Sequence, residues 1–209
     1  PAPPTLVLLV RHGLTPTTGV KLPGRARGLH LSDEGRRQAE AAAARIAKIP
    51  KVVAVYSSPL ERARETAGFI AKARNMAVRI ERGLLELDIG KWTGMALKDA
   101  GSKPEWKAVQ QHPSGFRFEG GESFTEMQAR ITGAIARMVA RHPGRIIVAV
   151  SHADPIKAVV AHALGTPLDL FQRIMIGTAS ITAIAYHPSG AAALTVNSMD
   201  GDLAALGIK

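Results

Sequence analysis

The 209-residue chain has no cysteine, which excludes disulfide scaffolds, thiol nucleophiles, Cys-ligated zinc and iron–sulfur clusters. Long hydrophobic runs are missing too. The longest runs of large apolar residues, such as Leu6–Val10 and Ile146–Val150, cover five positions, against roughly 20 for a membrane span. Aromatic residues make up only 4% of the chain, too few for a surface on which single-stranded nucleic acid stacks its bases. Acidic residues are scarce at the start: none precedes Asp33, and residues 1–75 carry 13 basic against 5 acidic side chains. Residues 76–209 carry 14 against 12, so most of the formal charge of +10 lies in the first third. Such a field suits an anionic partner, and composition alone admits nucleic acid, anionic lipid or a phosphorylated small molecule. The uncharged start, Pro1 to Thr5, runs straight into a strand-like segment and does not read as a signal peptide. A soluble, cytoplasmic protein is the expectation.

What is present reads as strands alternating with helices. A hydrophobic content of 46% supplies a core and excludes global disorder. Leu6–Val10, Val52–Tyr56 and Ile146–Val150 have the unbroken apolar pattern of strands buried on both faces. Asp33 to Lys48 reads as a helix, with Ala39, Ala42, Ala43, Ile46 and Ile49 on one side. Ser58-Pro59-Leu60-Glu61 has the pattern of a capping box opening a helix that runs to Arg74. Phe124, Met127, Ile131, Ile135 and Met138 recur every three or four residues and predict a helix over Ser123–Arg141. Asp154-Pro155 is expected to cap a helix ending near Leu164. Ile181–Tyr186 and Ala192–Val196, joined by His187 to Gly190, are expected to form a hairpin. Residues 76–122 are less regular. No repeat or linker divides the chain, so the expectation is a single α/β domain over 1–209. It would be a three-layer sandwich with a mostly parallel central sheet flanked by helices.

Open parallel sheets bind ligands beyond the carboxyl ends of their strands. Three apolar strands lead into polar residues at that edge: Arg11-His12-Gly13, Ser57-Ser58 with Arg62, and Ser151-His152. If these strands are parallel neighbours, two Arg and two His converge near helix N-termini, whose free N–H groups favour anions. Two forked guanidiniums there describe a phosphate pocket. Simple binding needs no imidazole. A neutral His12 beside a tight glycine turn is instead a competent nucleophile towards phosphorus.

These residues carry a resemblance. Val10-Arg11-His12-Gly13 with Thr15, Leu31-Ser32-Asp33-Glu34-Gly35 with Gln38-Ala39, and Ser57-Ser58-Pro59-Leu60 with Arg62 and Thr66-Ala67 resemble the histidine phosphatase superfamily. Leu85-Glu86 with Gly90, Trp92 and Gly94, then Gly120-Gly121-Glu122-Ser123 and Val150-Ser151-His152, continue the likeness in the same order. The resemblance implies the phosphoglycerate-mutase-like fold and no cofactor or metal. It makes His12 the nucleophile that forms a phosphohistidine. It assigns phosphoryl binding to Arg11, Arg62 and His152, and the role of proton donor to Glu86. Glu81, Asp88 and Glu122 are alternative acids. Thr17 and Thr18 stand where family members often carry Asn.

A phosphatase acting on a small phosphorylated metabolite is therefore expected, with no membrane or nucleic-acid partner. A mutase is the alternative. It is disfavoured by the span of only about 35 residues between Glu86 and Gly121, because family mutases cover the site with a longer insertion and tail. A catalytically silent polyanion-binding domain is the second alternative, and the proton donor argues against it. Asp154 is expected to cap a helix. Lys21, Arg25 and Arg27 form either a solvated loop or a steering surface for anions. Trp106, Phe116, Arg117 and Phe118 are expected to wall the pocket.

Overall fold

The computed structural model describes residues 3–203; the remainder of the expected 1–209 domain, Pro1, Ala2 and 204–209, lies outside the described residues. Strand β1 (Thr5–Arg11) is followed by helix α1 (Asp33–Ala47), β2 (Val52–Ser57), α2 (Glu61–Ala73) and a short β3 (Val78–Ile80). Two short helices, α3 (Leu97–Gly101) and α4 (Trp106–Gln111), precede the long α5 (Phe124–Arg141). Then come β4 (Ile146–Ser151), α6 (Ala153–Leu164), β5 (Ile181–His187) and β6 (Gly190–Ser198).

The six strands form one sheet in the order β3-β2-β4-β1-β5-β6. The first four in that order run parallel; β5 is antiparallel to β1, and β6 to β5. Side chains alternate across a strand, so β1 divides its residues between two layers. Leu6, Leu8 and Val10 pack with Ala42, Ala43 and Ile46 of α1 and Ala63, Ala67 and Ile70 of α2. Val7 and Leu9 face the other way, onto Met127, Ile131 and Met138 of α5 and Ile156, Val159 and Val160 of α6. This is the expected three-layer arrangement. Each fully buried aliphatic side chain contributes ~1.5–3 kcal/mol, which makes the two-sided strands the rigid base of the molecule. Among the described residues no helix is long and apolar enough to cross a membrane.

The local signals fare unevenly. Ser32 caps α1 by accepting from Gly35 N at 3.0 Å, and Ser123 opens α5 with a reciprocal capping box to Glu126. The capping box expected at Ser58 does not form. Helix α2 starts at Glu61 with Leu60 as its cap, because Ser58 N still pairs with Val150 O at 3.0 Å and so extends the sheet. Asp154 is not the cap of α6 either. That position belongs to His152, and Asp154 lies in the first turn, 3.3 Å from Lys157. Pro155 is tolerated in that turn because N–H groups there have no intrahelical acceptor. The irregular stretch over 76–122 holds β3, α3, α4 and single turns of 3-10 helix.

Candidate active site

Strand β4 lies between β1 and β2, with Arg11 opposite Ser151 and Ser57 opposite Val150. The carboxyl ends of all three strands therefore stand level, and His12, Ser58 and His152 follow them at one edge. His12 N donates to Ser151 O at 3.1 Å, which holds the first residue beyond β1 against the end of β4. The next residue must be glycine. A Cβ on Gly13 would lie 2.3 Å from Gly35 O, and one on Gly35 would lie 2.0 Å from Leu14 O. The first turn of α1 thus presses against the loop that carries His12. Gly13 N donates to Thr66 Oγ1 at 3.0 Å, which ties the same loop to α2.

His12 is only 4% exposed, and its Nδ1 lies 2.8 Å from Gly13 O. A carbonyl can only accept, so Nδ1 carries the proton and Nε2 keeps its lone pair. Arg62 Nε donates to that Nε2 at 3.3 Å. Burial, then the Arg62 and Arg11 guanidiniums, hold His12 well below the ordinary imidazole range, against the opposing pull of the Gly13 carbonyl. The ring is neutral. Its centroid is 5.2 Å from that of His152, which is fully buried and lies 2.8 Å through Nε2 from Ser58 Oγ. Burial, with Arg62, His12 and Arg11 nearby, also keeps His152 well below its usual range.

Arg62 is fully buried. Its Nη2 donates to Gly24 O at 2.8 Å, while Nη1 has no hydrogen-bond partner among the described residues. Arg11 donates through Nη1 to Ile176 O at 2.7 Å and leaves Nε unpartnered. His152 Nδ1 is unpartnered as well. Taking a guanidinium out of water costs several kcal/mol, and buried polar groups without partners are rare in folded proteins. Two cations and an imidazole that share this condition at one strand edge form a site suited to an oxyanion.

Four carboxylates were open as the acid, and their surroundings separate them. Glu81 accepts from Gly83 N at 3.0 Å and pairs with Arg137 at 3.3 Å. Asp88 accepts from Gly90 N at 3.1 Å and pairs with Arg25 at 3.4 Å. Glu122 lies between Arg25 at 2.8 Å and Arg130 at 2.6 Å; burial opposes its ionisation, but the Arg130 bonds outweigh this and hold it below the usual carboxylate range. Glu86 differs from all three. Its side chain is 14% exposed and lies 4.0 Å from His152 Nδ1, and Oε1 accepts from Leu87 N at 2.9 Å. Burial first, then the Asp154 carboxylate, raises its pKa to about 7, against the opposing pull of Arg62, the Leu87 N–H and Arg11.

Other sequence expectations need correction. Arg25 is not a free steering cation: Glu86 O, Asp88 and Glu122 take up its guanidinium. Lys21 and Arg27 are exposed. Phe118 is buried in the core, edge-on to Trp92 and Phe116, and Trp106 stacks on Trp92. These rings form an aromatic cluster beside α5 rather than a pocket wall, and Arg117 pairs with Glu126. Three participants escaped the sequence reading: Ser58 as the partner of His152, Thr66 as the anchor of Gly13, and Arg130. Ser58 and Thr66 stand within the motifs quoted above without these roles, whereas Arg130 lies outside them and leaves only the trace of a charge one residue from the core position Ile131. A wide groove of about 850 Å³ lies at the opposite end of the sheet, lined by Pro3, Thr5, Lys51, Arg145, His162 and Tyr186 among others. None of the site groups reaches it. Among the described residues no three His, Asp or Glu side chains are grouped to hold a metal ion.

Residues 7–199 match the histidine phosphatase superfamily (branch 1). The chain belongs to that family. A bifunctional protein of Mycobacterium tuberculosis is 30% identical over 201 residues, which is 96% of this chain but 55% of that protein. The chain therefore spans about half the length of this and two other mycobacterial relatives that it matches. Phosphoserine phosphatase 1 of Hydrogenobacter thermophilus is 33% identical over 183 residues, 85% of each chain. Among solved structures, a mycobacterial glucosyl-3-phosphoglycerate phosphatase superposes with a TM-score of 0.83 at 27% identity, over 92% of this chain and 98% of that one. Two of these relatives are thus named as phosphatases.

Proposed function

We propose that the chain is a phosphomonoester hydrolase that works through a phosphohistidine at His12, without a metal or other cofactor. The observation that carries this reading is the neutral His12 imidazole, with its Nε2 lone pair beside the buried Arg62 guanidinium. A phosphoryl group bound by Arg11, Arg62 and His152 presents phosphorus to Nε2. As the N–P bond forms, the P–O ester bond breaks, and Glu86 gives its proton to the departing alcohol oxygen. Glu86, now a carboxylate, takes a proton from water as that water attacks phosphorus. The N–P bond breaks, inorganic phosphate leaves, and Glu86 is protonated again. Charge that develops on the phosphoryl oxygens is met by donors already in position, which is where preorganised electrostatics is most effective.

Relatives named for phosphoserine and glucosyl-3-phosphoglycerate support a small phosphorylated metabolite as substrate. The polyanion-binding reading is weakened by the ion pairs of Arg25, Arg117 and Arg130. The test is phosphate release across a panel of phosphomonoesters, with and without chelator, for the wild type and His12→Ala. Release that resists chelation and is abolished by the substitution is expected. Activity that survives in His12→Ala overturns the mechanism, and isomerisation of phosphoglycerate without phosphate release replaces the hydrolase with the mutase.

A further inference from the structure

The Gly120-Gly121-Glu122-Ser123 motif takes no part in the chemistry above, yet it is built tightly against the acid-bearing segment. Glu122 N donates to Asp88 O at 2.8 Å, and Glu122 Oε2 accepts from Asp88 N at 3.2 Å. A Cβ on Gly121 would lie 2.3 Å from Asp88 O, and one on Gly90, at φ 48°, would lie 2.1 Å from Glu119 O. Two main-chain segments touch here with no side chain between them. Glu122 then recruits two arginines. Arg130 spreads its fork across both carboxylate oxygens, at 2.6 and 2.9 Å. The same guanidinium donates to Gly83 O at 2.8 Å, Leu85 O at 2.9 Å and Glu86 O at 3.3 Å. Arg25 completes the set, with Nη2 on Glu122 at 2.8 Å and Nε on Glu86 O at 2.8 Å. The carbonyl of Glu86 is thus gripped by two guanidiniums that one ionised carboxylate holds in place.

Among the described residues the side chain of Glu86 has one hydrogen bond, to the neighbouring Leu87 N. Its position therefore depends on its main chain. We propose that Glu122, with Arg25 and Arg130, is a positioning unit that sets the Glu86 carboxyl at the height of the leaving oxygen. This rests on the reading of Glu86 as the proton donor. A uniform role in stability would spread its bonds over distant elements, whereas these converge on residues 83–88. Glu122→Gln tests the point, because a carboxamide has one acceptor oxygen and cannot receive both forks. The Glu86 main chain then loses its common anchor, and a displacement of about 1 Å at a reacting group costs on the order of 100-fold.

The experiment compares kcat/KM for an alkyl phosphate and for 4-nitrophenyl phosphate, together with the inhibition constant of inorganic phosphate. In Glu122→Gln the alkyl ester is expected to slow by at least ~10-fold. The nitrophenyl ester, whose leaving group needs no proton, is expected to slow by less than ~3-fold. Phosphate inhibition is expected to stay at the wild-type value, since Arg11, Arg62 and His152 are untouched. Arg25→Lys keeps the charge but loses the fork, so it is expected to give the same selectivity in weaker form and serves if Glu122→Gln does not fold. Equal slowing of both esters, no slowing, or a changed phosphate constant overturns the proposal. A wild type that hydrolyses neither ester, or a His12→Ala variant that hydrolyses both, overturns the hydrolase reading instead.

Discussion

The proton on Glu86 makes the mechanism quantitatively exposed. With a pKa raised to about 7 by burial and by Asp154, about half of the molecules carry that proton at pH 7, about a tenth at pH 8 and about a hundredth at pH 9. For an alkyl phosphomonoester, whose oxygen departs poorly as an alkoxide, kcat/KM should fall about tenfold per pH unit above 7. For 4-nitrophenyl phosphate the same limb should be nearly flat. On the proposed mechanism kcat/KM is the quantity to measure, because it ends at departure of the alcohol and excludes hydrolysis of the phosphohistidine, where Glu86 would act again. Glu86→Gln should lower the alkyl value by ~10²–10⁴-fold, the usual span for a lost general acid, and abolish its basic limb. Asp154→Asn removes a carboxylate that helps keep Glu86 protonated and should move the limb to lower pH. Parallel limbs for the two esters, or an alkyl limb that persists in Glu86→Gln, would refute the assignment.

Two further outcomes follow from the same site. Gly13→Ala brings a Cβ to 2.3 Å from Gly35 O, about 1 Å inside normal contact, so the His12 loop must shift and kcat/KM should fall on the order of 100-fold. An unchanged rate in a variant with an unchanged melting temperature would show that the loop can yield. The second outcome concerns stability. Burial and the guanidiniums hold His12 and His152 well below 6.5, while Glu86 is raised from 4.5 to about 7. As pH falls from 6.5 to 4.5, the unfolded chain binds a proton on each of two histidines that the folded protein refuses. The folded protein holds a single proton, on Glu86, that the unfolded chain lacks. The imidazoles outnumber the carboxyl, so these groups make the protein less stable as pH falls across that window. Urea midpoints should decrease accordingly, and His152→Asn should flatten the slope; a wild-type midpoint that rises towards pH 5 would contradict the neutral imidazoles.

Much of this architecture was legible because burial on both faces leaves a plain signature. The apolar runs of β1, β2 and β4 could hardly be anything but central parallel strands, and the polar residues that follow them had to share one edge. Helix α5 was readable for a similar reason, since its apolar positions repeat at the helical period. Legibility failed where one residue type serves two kinds of contact. Ser58 and Asp154 have the sequence of caps, but one answers an imidazole across the sheet edge and the other a lysine one turn on. Arg25 looked like a solvated cation because Glu86, Asp88 and Glu122 lie 61 to 97 positions further along the chain. The resemblance already gives the acid role to Glu86, but a physical reason to prefer it over Glu81, Asp88 and Glu122 lies in which carboxylates the arginines pair with, a property of packing rather than of spacing. The aromatic residues near 116–118 were misassigned to a wall because hydrophobicity alone does not distinguish a core from the lining of a cleft.

The order in which the strands assemble has a consequence for how the protein is made. Its central pair, β1 and β4, brings His12 beside His152, so the two imidazoles come from positions 140 residues apart in the sequence. During synthesis the first of them waits, with Arg11 and Arg62, until the 140 positions that lead from His12 to His152 have been added. Until then no neighbouring strand exists against which β1 can bury the polar edge. Non-local pairings of this kind close late, and the cationic pocket with them. On the proposed mechanism, catalytic competence is thus withheld from every nascent form that lacks β4, and turnover becomes a report that β4 has joined β1.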